Sequence, residues 1–358
     1  MYRGQVRFAA LIAAIVCAGA QSPEVIFHEL QSDNAPGGAA LALRDGKAVF
    51  AHGYGIADLK KPGERITPET NFRLASVTKQ FTAMATMLLV HDGKLRYDET
   101  LTEVFPDFPK YGEKIRIRHL LTHTSGLQDY EDVMDEQHWD PALQISDAQV
   151  LELLKHASGT KFEPGTKWQY SNSGYVLLGL IVARASGKAF DEFLHERIFA
   201  PLGMNATLAY VKGKNEVPRR AYGNTFENGA WHETDQSPTS ATLGDGGVYS
   251  SVSDLAKWLR ALDENKLLGA DEMKQAWTPV NVPAHSVNID GLDVGYGFGW
   301  VLDRLNGHPR MWHHGETVGF RANVQRFPDR HLSVVVLENR TEPNPRDLAT
   351  KLAEIWLK

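Results

Sequence analysis

Strand-like sequence lies at both ends of this chain and helix-like sequence lies between them, which limits the folds that it can adopt. Residues 37–59 have the pattern of a β-hairpin, because two short apolar runs flank Asp45-Gly46, a strong turn signal. Further strand patterns, short and rich in β-branched and aromatic residues, lie at 295–301, 310–314, 319–326 and 332–337. One antiparallel sheet assembled from both ends of the chain accounts for this distribution.

Helical patterns fill the middle of the chain. The apolar run at 76–90 predicts a helix that ends at Asp92-Gly93. Similar patterns lie at 147–156, 174–185, 190–199 and 253–262, and a last helix is expected at 345–357. We therefore predict an α+β fold, in which terminal helices flank an antiparallel sheet. A helical lobe of roughly residues 80–275 would be inserted in the sheet region, with a cleft between lobe and sheet.

The first twenty residues have the layout of a secretory signal peptide. Arg3 and Arg7 form a basic start, residues 8–16 are apolar, and residues 18–20 have the small-x-small form of a signal-peptidase site. We expect cleavage here, which leaves 21–358 as a secreted, periplasmic hydrolase domain without a membrane span. A retained N-terminal anchor is the alternative.

Composition excludes several classes of partner and of site. The chain of 358 residues has a net charge of −6, so no basic surface indicates a nucleic acid partner. Its one cysteine, Cys17, lies inside the predicted signal peptide. The secreted protein would then have no disulfide, no cysteine-based zinc site and no cysteine nucleophile.

A Ser-x-x-Lys pattern at the start of a helix can activate a serine, since residues at i and i+3 share one helix face. The pattern occurs at Ser76–Lys79 and at Ser158–Lys161. The first copy opens the long apolar helix, whereas Gly159 and Pro164 place the second in a loop. Ser76 is therefore the better candidate nucleophile and Lys79 its base, although a plain helix cap would also explain Ser76.

Two further motifs supply groups that such a site needs. Tyr170-Ser171-Asn172 offers a phenol that can relay a proton and an amide that can bind a substrate amide. His313-His314-Gly315 lies on a predicted strand, where glycine lets a substrate backbone approach. Each pattern recurs, as Tyr222-Gly223-Asn224 and as His91-Asp92-Gly93. The second of these is a helix-ending turn, and the first remains an alternative.

The order of these motifs resembles the serine β-lactamase and penicillin-binding protein superfamily, on its class C side. The resemblance spans about residue 35 to the C-terminus. The connecting segments that carry it are Phe72-Arg73-Leu74-Ala75-Ser76-Val77-Thr78-Lys79, Leu120-Leu121-Thr122-His123-Thr124-Ser125-Gly126-Leu127 and Gly246-Gly247-Val248-Tyr249-Ser250-Ser251. It implies a β-lactamase/transpeptidase-like fold and no cofactor or metal.

The resemblance also implies roles for the first two motifs. Ser76 would form the acyl-enzyme. Lys79 and Tyr170 would transfer protons during acylation and deacylation, and Asn172 would orient the substrate amide.

The third motif departs from the drug-resistance enzymes of class C, which have a lysine where this chain has His313. The histidine form resembles D-alanyl-D-alanine carboxypeptidases, D-amino-acid peptidases and esterases of the group. His313 would line the cleft, and the oxyanion hole would be the backbone N–H of Ser76 and that of Glu316, just after Gly315. Because histidine binds a carboxylate well only when protonated, efficient β-lactamase action is in doubt. His314 would point to the other face of the strand.

These observations predict a serine hydrolase that acts through an acyl-enzyme on a small-molecule or peptide substrate, either a D-amino-acid peptide or an ester. A β-lactamase is one alternative. Another is a penicillin-binding or sensor protein that is acylated without turnover. A third is a zinc hydrolase built on His119 and His123, whose i, i+4 spacing suits zinc but which lack a glutamate base.

Overall fold

The computed structural model describes residues 22–282, 287–289 and 291–358. The predicted signal peptide, residues 1–20, and Cys17 lie outside these residues. Within the described ranges, no helix is both long enough and apolar enough to cross a bilayer.

The strands are β1 Gly38–Arg44, β2 Lys47–Tyr54, β3 Phe72–Arg73, β4 Leu208–Ala209, β5 Asn224–Glu227, β6 Ala230–Glu233, β7 Val248–Ser250, β8 Val287–Ile289, β9 Leu292–Tyr296, β10 Val301–Leu305, β11 His308–Thr317, β12 Phe320–Phe327 and β13 Leu332–Glu338. The α-helices are α1 Pro23–Ile26, α2 Lys79–His91, α3 Leu101–Val104, α4 Ile117–Leu121, α5 Tyr130–Glu136, α6 Asp147–Lys155, α7 Asn172–Ser186, α8 Phe190–Leu194, α9 Val252–Asp263, α10 Ala270–Ala276 and α11 Pro345–Leu357. Shorter 3₁₀ turns cover His28–Leu30, Ala75–Thr78, Lys110–Lys114, Pro238–Ala241 and Pro328–Arg330, and a π-helical turn covers His195–Phe199.

One large antiparallel sheet joins the two ends of the chain. Its order is β2-β1-β13-β12-β11-β10-β9-β8, with β1 and β13 paired from Gly38 and Glu338 onward. The β1–β2 turn has positive φ at both Asp45 (51°) and Gly46 (72°), the type I′ geometry that Asp-Gly favours. The predicted α+β fold with an antiparallel sheet is confirmed.

Both faces of the sheet are buried, because successive side chains of β13 belong alternately to two hydrophobic clusters. Val334 and Val336 pack with α1 and α11 on one face. Val335 and Leu337 belong to the main core on the other face, with α2, α7 and α9. Successive side chains of a strand point to opposite faces, so one buried strand connects the two layers. The candidate site lies on the face that carries the helices between Lys79 and Ala276.

The prediction of one strand over 295–301 is wrong. β9 ends at Tyr296 and β10 begins at Val301, with a tight turn between them. Gly299 has φ of +76°, and a Cβ on Gly297 would lie 2.0 Å from the carbonyl oxygen of Ala276. The two glycines allow the chain to reverse against α10.

Candidate active site

Ser76 lies in a 3₁₀ turn, Ala75–Thr78, that leads directly into α2. The α-helix therefore begins at Lys79 and not at Ser76 as expected, because the first turn is wound more tightly. Ala75 has φ of 46°, a left-handed conformation that costs energy for a residue with a Cβ. Such strain is found most often at functional sites. Ser76 itself is half-buried, whereas its neighbours are buried.

Lys79 brings a buried amine to the serine. Its side chain is 0% exposed, and its Nζ lies 3.0 Å from Ser76 Oγ. Two further acceptors surround the nitrogen: Asn172 Oδ1 at 2.8 Å and the backbone oxygen of Asp245 at 3.0 Å. A buried polar group needs such partners, and Lys79 has three.

The segment before β7 braces the start of α2. Thr82 Oγ1 donates to the carbonyl oxygen of Gly244 at 2.6 Å, and the N–H of Val248 donates to Thr78 Oγ1 at 3.1 Å. A Cβ on Gly244 would lie 2.2 Å from the carbonyl oxygen of Tyr175 in α7. Glycine thus lets this segment pass between α2 and α7, where it reaches Lys79.

The loop before α7 places the Tyr170 and Asn172 side chains around Lys79. Lys79 Nζ lies 5.0 Å from the centroid of the Tyr170 ring. Asn172 is the first residue of α7; its Oδ1 accepts from Lys79, and its Nδ2 donates to Glu131 Oε1 at 3.1 Å. Its backbone N–H donates to Asp129 Oδ2 at 2.5 Å. The structure therefore brings Ser76, Lys79, Tyr170 and Asn172 together, as predicted.

Three carboxylates and the guanidinium of Arg73 line the cleft. Glu131, Asp245 and Glu316 line it together with Ser76. Partial burial of the carboxyl group, together with the negative charges of Asp129 and Asp245, raises the pKa of Glu131 to about 7. Burial also raises the pKa of Asp129. The Glu131 residue as a whole is exposed to solvent, so a substrate can reach its carboxylate.

Strand β11 forms the opposite wall and contacts the turn that carries Ser76. A Cβ on Gly315 would lie 2.0 Å from the carbonyl oxygen of Leu74. Glycine is therefore required for the strand to approach this turn. Glu316 follows and lines the same cleft, with its carboxylate 2.6 Å from Arg321 Nη2. Ser76 and Glu316, whose N–H groups are the predicted oxyanion hole, thus face one cavity.

His313 lies deeper than expected for a group that binds substrate. It is 1% exposed, its Nε2 lies 3.1 Å from Tyr296 Oη and its Nδ1 lies 2.6 Å from the carbonyl oxygen of His314. Burial, with the charges of His314 and Lys79, holds the pKa of His313 well below its usual range. His313 is therefore uncharged at neutral pH, and both ring nitrogens already have partners.

The alternative motifs lie elsewhere. Ser158 is exposed in a loop, and Lys161 pairs with Asp132 Oδ2 at 2.8 Å. Asn224 is buried and donates to the backbone oxygen of Asn339 at 3.1 Å. The second Ser-x-x-Lys and the second Tyr-x-Asn are thus structural.

The two histidines of the zinc alternative have hydrogen-bond partners in the fold. His119 Nδ1 accepts from the N–H of Arg116 at 3.2 Å, and His123 Nδ1 accepts from that of Ser171 at 3.2 Å. His123 Nε2 lies 3.0 Å from Tyr296 Oη. Over the residues that the structure describes, no group of three or more His, Cys, Asp and Glu side chains is placed to hold a metal ion.

Sequence reasoning missed three groups at this site: Glu131, the Asp245 backbone oxygen and Tyr296. Glu131 follows the family-like segment that ends at Leu127, which was a usable signal. The Asp245 oxygen had none, because a backbone contact leaves no side-chain pattern. Tyr296 lies at the end of β9, inside the expected strand, but its contacts with His123 and His313 could not be predicted from that strand.

A family model described as Beta-lactamase matches residues 23–355. The chain belongs to the Beta-lactamase family. The resemblance drawn from the three motifs is thereby confirmed, and with it the class of enzyme, a hydrolase of the serine β-lactamase and penicillin-binding protein superfamily.

The proteins to which this chain is similar bear several names. Penicillin-binding protein 4* of Bacillus subtilis is 31% identical over 336 residues, 89% of this chain and 71% of the relative. A D-aminopeptidase of Gluconobacter oxydans is 30% identical over 311 residues, 85% of this chain and 56% of the relative. The chain thus spans less than two thirds of that D-aminopeptidase. A D-amino acid amidase from Ochrobactrum anthropi SV3, solved with L-phenylalanine amide, superposes with a TM-score of 0.77 at 26% identity, over 93% of this chain and 98% of the other.

Proposed function

We propose that the protein hydrolyses small amides and esters through an acyl-enzyme on Ser76, and that amides or peptides of D-amino acids with a free amino group are its preferred substrates. The contact between Lys79 Nζ and Ser76 Oγ, 3.0 Å long and buried, carries this proposal.

The hydrogen-bond partners of Lys79 Nζ are arranged so that this amine can act as the general base for Ser76. Lys79 donates to Ser76 Oγ in the structure, and it acts as a base only after losing a proton, in the form that has two N–H bonds and one lone pair. The Asn172 Oδ1 and Asp245 backbone oxygens can only accept, so they take the two N–H bonds. The lone pair then faces the hydroxyl of Ser76, ready to accept its proton.

The reaction follows from this geometry. Ser76 Oγ forms a bond to the substrate carbonyl carbon as its proton passes to Lys79 Nζ. The bond from that carbon to the leaving nitrogen or oxygen then breaks, and the leaving group takes a proton from the Lys79 and Tyr170 pair. Water attacks the resulting ester, and Ser76 regains its proton as the carboxylic acid leaves. The N–H groups of Ser76 and Glu316 would stabilise the oxyanion in both steps.

The position of Glu131 favours an acyl donor with an ammonium group. Glu131 presents a carboxylate close to Asn172, the residue that would orient the substrate amide. His313, being uncharged, offers no positive charge for a substrate carboxylate. The names of the D-aminopeptidase and D-amino acid amidase relatives support the same substrate class and its stereochemistry.

Turnover of matched substrates tests the proposal. We expect wild type to release p-nitroaniline from D-alanine p-nitroanilide faster than from the L isomer, and Ser76→Ala to release it from neither. A Ser158→Ala variant, which alters the exposed serine of the second Ser-x-x-Lys, should keep full activity. Full activity of Ser76→Ala, or a preference for the L isomer, would refute the corresponding part of the proposal.

Acylation by penicillin is a second candidate activity. Arg73, a cation, also lines the cleft, and a β-lactam carries a carboxylate. The relative named penicillin-binding protein 4* supports it. Arg73 Nε already donates to the backbone oxygen of Gly246 at 3.3 Å, which makes it a weaker receptor than a free side chain.

A further inference from the structure

A row of buried polar side chains links the loop before α7 to strand β11. His123 Nε2 lies 3.0 Å from Tyr296 Oη, which lies 3.1 Å from His313 Nε2. Each of the three residues is at most 1% exposed. Backbone groups close both ends: the N–H of Ser171 lies 3.2 Å from His123 Nδ1, and the carbonyl oxygen of His314 lies 2.6 Å from His313 Nδ1.

The backbone groups fix the direction of every hydrogen bond in the row. An N–H can only donate, so His123 Nδ1 is the acceptor and its proton is on Nε2, which donates to Tyr296 Oη. A carbonyl oxygen can only accept, so the proton of His313 is on Nδ1, and its Nε2 accepts from the Tyr296 hydroxyl. With both histidines neutral, every donor in the row then meets an acceptor.

We propose that His123, Tyr296 and His313 form a positioning chain that holds the Tyr170 loop at a set distance from strand β11, and thereby aligns the proton-transfer groups with the oxyanion hole. This role rests on the proposed function, in which Tyr170 and the N–H of Glu316 act on the same substrate carbonyl. None of the three residues needs to touch the substrate.

Contacts at the His123 end of the positioning chain show how it would hold the Tyr170 loop. The His123 ring packs on the Tyr170 ring with centroids 4.3 Å apart, and the N–H of Gln169 donates to the carbonyl oxygen of His123 at 3.0 Å. His123 has φ of 56°, a left-handed conformation uncommon for a residue with a Cβ. At the other end, His313 lies two residues before Gly315, which touches the turn that carries Ser76.

The variant Tyr296→Phe removes the central hydroxyl and keeps the ring. We expect kcat for p-nitrophenyl acetate to fall between about tenfold and a hundredfold with little change in KM, because the reacting groups lose their alignment. Tyr111→Phe is the matched control. This variant likewise removes a tyrosine hydroxyl, one that donates to the backbone oxygen of Leu154. Tyr111 is not part of the positioning chain. It should keep the wild-type kcat.

The pH profile separates positioning from a general loss of stability. The titratable groups that face His313 are Lys79, His123, Tyr170, Tyr296 and His314. Without the Tyr296 hydroxyl, His313 Nε2 has no donor and is more easily protonated, so the acidic limb of kcat should move to higher pH. Tyr111→Phe should leave that limb in place. Wild-type kcat and an unmoved limb in folded Tyr296→Phe would overturn the proposal.

Nitrogen NMR of the wild-type protein tests the positioning chain without a substitution in any of its three residues. His123 should be the neutral Nε2–H tautomer and His313 the neutral Nδ1–H tautomer, with signals assigned by their loss in His123→Asn and His313→Asn. If His123 and His313 had the same tautomer, or if His313 were cationic at neutral pH, the proposed positioning chain would be refuted, even if Tyr296→Phe failed to fold. Retained activity in Ser76→Ala would instead refute the proposed function and leave the tautomer result standing.

Discussion

Glu131 combines a raised pKa with a place on the wall of the cleft. Its carboxylate accepts from Asn172 and lies near Asp129 and Asp245, which add negative charge. A carboxylate in such surroundings gains from a nearby cation, because pairing relieves both its burial and the repulsion from its neighbours. An ammonium group on the substrate would supply that cation.

The substitution Glu131→Gln tests this pairing, since glutamine still accepts from Asn172 but carries no charge. For D-alanine p-nitroanilide we expect kcat/KM to fall about tenfold to a hundredfold, from the ~1.5–3 kcal/mol that a hydrogen bond to a charged group contributes. For p-nitrophenyl acetate, which has no ammonium group, kcat/KM should change less than about twofold. Equal losses on both substrates would contradict the pairing.

The pKa of Glu131 also predicts a pH dependence for the amine substrate. With that pKa raised to about 7, Glu131 becomes ionised as pH rises through 7, and kcat/KM for the amine substrate should rise with it. The value should fall again as the substrate amine loses its proton near its pKa of about 8. Comparison of wild type with Glu131→Gln between pH 5 and 9 (roughly the range over which both groups titrate) checks this. An unchanged rising limb in Glu131→Gln would assign it to another group.

Gly315 allows β11 to approach the Ser76 turn. In Gly315→Ala the new methyl group would meet the carbonyl oxygen of Leu74, so we expect a loss of about 1–3 kcal/mol in the free energy of unfolding. Activity should fall as well, since strand and turn would move apart. Gly63→Ala is the control, because nothing lies within 4 Å of a Cβ there. Urea unfolding of both variants checks this, and equal midpoints would contradict the close approach.

Helix α11 covers one face of the sheet that joins the two ends of the chain. Leu352 of α11 is 0% exposed and packs in the cluster that holds Val334 and Val336 of β13. Leu352→Ala should lower the free energy of unfolding by about 2–5 kcal/mol. The folded fraction should keep its kcat, because α11 and the site lie on opposite faces of the sheet.

The neighbouring exposed residue gives the control for this prediction. Lys351→Ala should change the free energy of unfolding by less than about 0.5 kcal/mol. Urea unfolding followed by circular dichroism measures both variants. Equal unfolding midpoints for Leu352→Ala and Lys351→Ala would contradict the role given to α11.

Elements with local signals were predictable from the sequence, and those imposed by distant contacts were not. The last helix, expected at 345–357, begins at Pro345, because proline suits the first position of a helix. The β1–β2 hairpin follows from Asp45-Gly46. The turn at 297–300 was missed because it packs against the end of α10, a contact that no local pattern records.

The same distinction applies to the site. Ser76 and Lys79 share one turn, and their spacing alone brings them together. Asn172 was predicted by its motif and by the resemblance to a known family. Tyr296 contacts His313 and Glu131 contacts Asn172 across the fold. Neither contact follows from a local pattern, although Glu131 comes shortly after the family-like segment that ends at Leu127.

At the scale of the whole molecule, we propose that the protein is exported and acts in the periplasm, since residues 1–20 have the layout of a signal peptide. Expression of the full chain should give a periplasmic product that lacks these residues. Cell fractionation with intact mass measurement checks this. A product of full mass in the membrane fraction would support a retained anchor instead.

The central claim is that Ser76 carries the acyl group during turnover. Rapid acid quenching during hydrolysis of p-nitrophenyl acetate, followed by intact mass and peptide mapping, tests it most directly, with penicillin as a second acylating agent. We predict one added acetyl group on the peptide that contains Ser76 in wild type and none in Ser76→Ala. An acyl group on any other residue of wild type, or one that persists in Ser76→Ala, would contradict the account.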